Sequence, residues 1–180
     1  MTDQHAASSQ DGAFRGVDAV PLLLDAAHAV TLPDQPAASL AAIDKGLAAT
    51  VGHKLFTLLV LNFARGENQR YYSNQPKSYP TGGAKLIEKD SAMFRDVVLG
   101  GRPRILRNRD DIREAFFDHE LIASLGCESC VNYPIRWNGT TLGTLNLLHE
   151  AGWYRESDYR ALSAFAALTV PAVLEIIKGW

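Results

Sequence analysis

Two cysteines, Cys127 and Cys130, stand three residues apart in LGCESCVNYPI and are the only thiols in the chain. Such a pair can hold a metal, exchange disulfides, or supply two small apolar residues. Tetrahedral zinc needs four nitrogen or sulfur ligands, commonly from two such pairs. The sequence offers no second C-x-x-C and no H-x-x-x-H, so His119 and His149 would have to complete the set through the fold. Thioredoxin-type exchange wants its first cysteine at a helix N-terminus, where the dipole lowers the thiol pKa. Cys127 instead follows a predicted helix end and Gly126, where the dipole disfavours a thiolate. Packing is the favoured role. The alternative is a nucleophilic Cys127 or Cys130 with His119 or His149 as base. No metal and no cofactor is expected.

Polar and aromatic residues mark candidates for ligand binding. RYYSNQPKSYPTGG combines Tyr71, Asn74 and Tyr79 with Gly82-Gly83, giving hydrogen-bond donors beside flat apolar surface. Arg95 and Arg104 follow, as would suit an acidic or carboxylate ligand. Phe94 lies on the short helix after this loop. Asp118, His119 and Glu120 form a small ionisable cluster, with His119 either a core residue or a pocket contact. His149 with Trp153 and Tyr154 reads either as a hydrophobic lid on the core or as an aromatic cap over a ligand.

Asn138-Gly139 between two apolar runs is a strong hairpin signal. A two-residue turn there pairs Trp137 with Thr140, Tyr133 with Thr144 and Val131 with Asn146. One face then carries Tyr133, Thr144 and Asn146, a polar and aromatic set suited to a pocket wall. The other carries Cys130, Asn132, Leu145, Leu147 and His149. A bulge would exchange these sets, and Cys130 stays among the candidates.

Helices and strands must position these groups. DAVPLLLDAAHAV predicts a short helix with Pro21 in its first turn. Leu40, Ile43, Leu47 and Val51 form one helical stripe, with Ser39 as N-cap. Leu55 to Phe63 is apolar on both alternating sets, as in a strand covered on both faces. QRYYSN returns it. SAMFRDVVLGG predicts a short helix capped by Ser91, RPRILRN an edge strand, and DDIREAFFDHELIASLG one helix ending at Gly126. The hairpin follows, and SDYRALSAFAALTVPAVLEIIKGW closes the chain as a long amphipathic helix with a kink at Pro171. Hairpins among helices make an α+β fold with an antiparallel sheet.

Bulk properties narrow the class. The chain has 180 residues, 47% apolar and 21% charged, with net charge −2. That fits one domain, residues 17–180, behind a flexible tail at 1–16. Interspersed charges argue against nucleic acid and membrane surfaces as partners. No segment approaches the roughly 20 apolar residues of a spanning helix, and no secretory signal opens the chain, so a cytoplasmic protein is expected.

The order of elements resembles a GAF domain over roughly residues 35–178. Its matching features are Pro134 in an apolar strand, the Asn138-Gly139 turn, Gly143/Leu145/Leu147 in the next strand, and Asp158 opening the last helix. The resemblance implies a central antiparallel sheet of about six strands. It places the terminal helices on one face and a pocket covered by loops and helices on the other. It also implies a single-domain sensory or regulatory protein that binds a small molecule and dimerises through its terminal helices. A third reading is a partner-docking module without a ligand. The free methionine-(R)-sulfoxide reductases share the fold, but aligning on Pro134 and Gly143 sets Ala123, Cys130, Asn146 and Leu148 where that family carries its cysteine and acids. That activity is rejected.

Overall fold

A computed structural model describes residues 13–180. Residues 1–12 of the expected tail lie outside the described residues. Residues 13–16, also assigned to the tail, belong instead to a small hairpin of β1 (Ala13–Phe14) and β2 (Val17–Asp18). Arg15 at its turn, with φ of 50°, ties the hairpin to the body. Its guanidinium donates to Asp158 Oδ2 and to the Trp153 carbonyl, both at 2.8 Å.

Two helices follow, α1 (Val20–Ala29), with Pro21 in its first turn, and α2 (Ala37–Thr50). The α2 stripe is as the spacing predicts: Leu40, Ile43 and Leu47 are buried. Ser39 does not cap it. The helix begins two residues earlier, and the buried Ser39 hydroxyl donates to Gln35 Oε1 at 2.6 Å. Then come β3 (Leu55–Asn62), β4 (Glu67–Ser73), β5 (Ala84–Leu86), a π-helical segment Met93–Leu99 and β6 (Arg104–Leu106). Ser91 Oγ accepts from the Phe94 N–H at the start of that segment.

The helix predicted over 110–126 is two. α3 (Arg109–Ala115) is capped by Asn108, whose side chain accepts from the Asp111 N–H, and α4 (His119–Ser124) starts afresh. Phe116 between them is extended, with φ −128° and ψ 125°. Tertiary contacts override the helical pattern here: the turn delivers Asp118 to Tyr79 and Lys85. β7 (Ser129–Trp137), β8 (Thr140–His149) and α5 (Tyr159–Lys178) complete the chain. α5 runs on through Pro171. It is also long and apolar enough, by length and composition, to cross a membrane, contrary to the expectation that no segment is; half of that window is buried within this domain.

The sheet is antiparallel with strand order β5-β4-β3-β8-β7-β6. Its two faces carry separate cores. Against α1, α2 and α5, the strands present Phe56, Leu58, Val60, Val131, Ile135, Leu145 and Leu147, all fully buried. Phe165 of α5 lies so close to α2 that a Cβ at Gly46 would strike its ring. Across the sheet, Leu55, Leu106, Cys130 and Leu148 meet Ile112 of α3, Ile122 of α4 and Cys127 in a smaller core.

A bulge decides which residues share a face. Trp137 pairs with Thr140 and Arg136 with Thr141 as expected, but Ile135 pairs with Gly143, leaving Leu142 extra on β8. Tyr133 therefore faces Leu145, and Asn132 faces Asn146. One added residue reverses the parity of a strand pair. The predicted set of Val131, Tyr133, Thr144 and Asn146 is thereby corrected. Tyr133 turns to the α5 side, its ring centroid 5.9 Å from that of Tyr159.

Candidate functional site

The sheet face under α3 and α4 is polar in its middle. Register sets Ser73, Thr57, Asn146, Asn132 and Arg104 in one row across five strands, with Arg70, Leu59, Thr144 and Pro134 in the next. A second bulge, between Leu58 and Leu59 in the β3–β4 pairing, brings Arg70 rather than Tyr71 opposite Leu59. Asn132 Nδ2 donates to Asn146 Oδ1 at 2.7 Å and to Cys130 Sγ at 3.4 Å. Asn146 Nδ2 faces the Thr144 and Thr57 carbonyls at 3.3 and 3.4 Å. Both amides are almost fully buried.

Arg70 enters from β4. Its guanidinium lies over the Tyr79 ring, 3.8 Å from the centroid, and Nη1 donates to the Pro80 carbonyl at 2.8 Å. The Gly82-Gly83 turn supports it. Arg70 N–H donates to the Gly83 carbonyl and Gly82 N–H to the Arg70 carbonyl, both at 2.9 Å, with Gly82 at a φ of 84° that favours glycine. Tyr79 donates its hydroxyl to Asp118 Oδ2 at 2.6 Å, and Lys85 Nζ stands 3.4 Å from Asp118 Oδ1. Burial, then the Asp118 carboxylate, pushes the Tyr79 hydroxyl pKa up. A small, partly enclosed cavity of about 30 Å³ remains between Thr57, Arg70, Tyr79, Lys85, Phe116 and Asn146. Among the described residues, three buried side-chain polar atoms have no hydrogen-bond partner: Asn68 Oδ1, Arg70 Nε and Thr144 Oγ1. By register all three belong to this face.

The predicted site residues divide accordingly. Tyr79, Cys130, Thr144 and Asn146 lie on this face. Tyr71 packs on the helix side, near Trp180. Asn74 satisfies backbone: its Oδ1 accepts from the Phe56 N–H at 2.8 Å, and its amide faces the Lys54 carbonyl. Its predicted ligand role is replaced by a structural one. Phe94 sits half-buried in the π-helical segment. His119 borders a different, more open cleft of about 340 Å³ with Arg109, Arg113 and Cys127. His149 stacks on Trp153 at 3.6 Å on the α2 side, where Trp153 Nε1 donates to the Val51 carbonyl. That is the lid on the main core.

Neither thiol is activated. Burial pushes Cys127 up to about 11, with Lys54 opposing only in part, and burial pushes the fully enclosed Cys130 higher still. A nucleophile needs the opposite shift. No three His, Cys, Asp or Glu side chains converge among the described residues. The sequence reading missed Arg70, Thr57, Asn68, Asn132 and Lys85. Arg70 and Asn68 belong to a strand whose alternation is disrupted by a bulge, and Asn132 was assigned to the opposite face.

The GAF domain profile matches residues 17–173, and the chain belongs to the GAF domain family. Solved structures of the same fold include the GAF domain of an Acinetobacter phosphoenolpyruvate-protein phosphotransferase. It is 14% identical, with a TM-score of 0.66, over 86% of this chain and 92% of that one. The corresponding domain from Coxiella burnetii is 15% identical at a TM-score of 0.65, over 89% and 96%. The GAF domain of a two-component sensor histidine kinase from Bacillus halodurans is 16% identical at 0.61, over 78% and 95%. A search of curated proteins found no match. The last of these neighbours is a domain of a sensor protein.

Proposed function

We propose that this GAF domain is a sensory or regulatory module that binds a small molecule on the sheet face beneath α3 and α4. One observation carries the reading. Asn68 Oδ1, Arg70 Nε and Thr144 Oγ1 are buried without a protein partner, and all belong to that one face. Leaving a buried polar group unpaired costs roughly 1–3 kcal/mol. Three such groups on a single face are a feature that a ligand's own polar groups would satisfy. Apolar Leu59, Phe116, Ile122 and Leu148 in the same wall give the mixed lining of a small-molecule site. Arg70, Tyr79 and Asn146 line its cavity, with Thr144 on the same face; Tyr71, Asn74, Tyr133, His119 and His149 are not part of it.

The same reading takes the protein as a homodimer and as cytoplasmic. α1 exposes Val20 at 52% and Leu24 at 64% beside α5, which supports terminal helices as the contact. α5 directs its apolar stripe at the sheet, which supports a water-borne domain. Light scattering during size-exclusion chromatography tests the dimer.

Native mass spectrometry tests the ligand. Protein purified from its own host is expected to carry a small mass that is lost on denaturation. Protein that carries no such mass, and that no metabolite in a broad thermal-shift panel stabilises, would refute the reading.

A further inference from the structure

We infer that the ligand carries a single carboxylate, gripped edge-on by Arg70 in the β4 strand. The inference rests on the proposed ligand site and specifies its chemistry.

A guanidinium has two edges that can take a two-oxygen acceptor. At Arg70 the Nη1 end is engaged by the Pro80 carbonyl at 2.8 Å. The Tyr79 ring at 3.8 Å fixes the plane. Of the side-on edge, formed by Nε and Nη2, Nε is buried and has no protein acceptor. The head group is thus held on its face and at one corner while Nε, on its carboxylate-matching edge, is left without a protein partner. Lysine in this place would offer a point charge and no such edge.

Charge balance sets the valence. Two cations border the cavity, Arg70 and Lys85. Lys85 is matched by Asp118 at 3.4 Å. Arg70 has no acidic partner among the described residues, its side chain meeting only the Pro80 carbonyl and the Tyr79 ring. That leaves one cation without an acidic partner, which matches one negative charge on a ligand. A phosphate dianion would bring a second charge beside Leu59, Phe116 and Leu148 with no free cation left to match it, which disfavours it. Thr144 Oγ1, across Leu59 from Arg70 in the same row, is placed to meet a polar atom on the rest of the molecule.

The cavity of about 30 Å³ holds little more than a water. Entry therefore requires the Phe116–Asp118 turn to swing outward. Asp118 holds that turn shut through Tyr79 and Lys85. A carboxylate arriving beside Lys85 offers that ammonium a second acceptor, so binding and release of the turn are coupled.

The probes are sodium acetate, propionate, lactate and pyruvate, their neutral amides, and inorganic phosphate, at matched ionic strength. Thermal shift and calorimetry are run on the wild type, Arg70→Gln and Arg70→Lys. At least one carboxylate is expected to bind where its amide does not. Arg70→Gln is expected to weaken it by roughly 10- to 100-fold, the value of hydrogen bonds to a charged group, and Arg70→Lys to restore part of the loss. If Arg70→Gln does not fold, the Arg70 ¹⁵Nε–¹H resonance of the wild type, which the carboxylate should move downfield, gives the same reading. Equal binding of amides, preference for phosphate, an unmoved Nε resonance, or no binding by any carboxylate overturns the inference. A neutral mass on host-purified protein would then leave the site standing without its charge. No mass at all would remove both.

Discussion

Replacing Thr144 by valine should make this protein more stable, against the usual direction for a buried substitution. Thr144 is 1% exposed, and its hydroxyl oxygen has no partner. Valine keeps the branched shape, raises strand preference slightly and puts a methyl where an unpaired oxygen is held. The relief is the desolvation of one hydroxyl, roughly 1–3 kcal/mol. For a domain of this length each kcal/mol moves Tm by about 2–4 °C, so an upward shift of about 2–12 °C is expected. The measurement is urea unfolding followed by tryptophan fluorescence, with the slope unchanged between variants, because only then does a midpoint shift report stability. The reasoning fails if Thr144→Val lowers stability by more than about 0.5 kcal/mol. That result would mean the hydroxyl is bonded in the ligand-free protein, and the polarity of this face would need another explanation. A stabilised variant with lost ligand binding would instead show a site kept at the expense of stability.

Three further outcomes follow from the packing. At pH 7 about one Cys127 in 10,000 should be thiolate, against about one in 100 for an ordinary protein thiol, given its shift to about 11; native protein should therefore react with a disulfide reagent at least 100-fold more slowly than denatured protein, and fast native labelling would revive thiol chemistry. Gly143→Ala should destabilise by at least about 1–3 kcal/mol, because its Cβ would strike the Leu59 carbonyl and lie 3.2 Å from Val60 Cα, neither a movable side-chain tip; denaturant midpoints check this. Burial chiefly lowers the His149 pKa below its ordinary 6.5. The neutral form is thus favoured in the folded state, so its contribution is present above pH 6.5 and falls as the solution is acidified through 6.5 toward the folded value. His149→Gln should flatten that part of the stability-pH curve, and an unchanged slope would show that other groups set it.

The elements that were legible in the sequence are those with a period and a full set of end signals. The α2 stripe of Leu40, Ile43 and Leu47, the doubly apolar β3 and the Asn138-Gly139 turn all stand where their patterns indicate. The helix expected over 110–126 carried the same kind of stripe and broke, because the pattern of Ile112, Phe116 and His119 says nothing of a carboxylate that Tyr79 draws down from between them. The site was harder to read for a more general reason. Assigning faces depends on counting residues from a turn, and Leu142 adds one to the count without any composition that marks it. Tyr133 and Asn132 are consequently each expected on the wrong side. Arg70 was hidden by the second irregularity, between Leu58 and Leu59.

The alternation within β7 has a mechanical consequence. Asn132 grips Asn146 on one side, while its neighbour Tyr133 leans on Tyr159 at the base of α5 on the other. A single peptide unit therefore joins the polar row beneath α3 and α4 to the aromatic contact at the root of α5. Were a ligand held on the α3–α4 side, the shortest covalent route from it to the root of α5 would run straight through the sheet, with no loop passing around the edge.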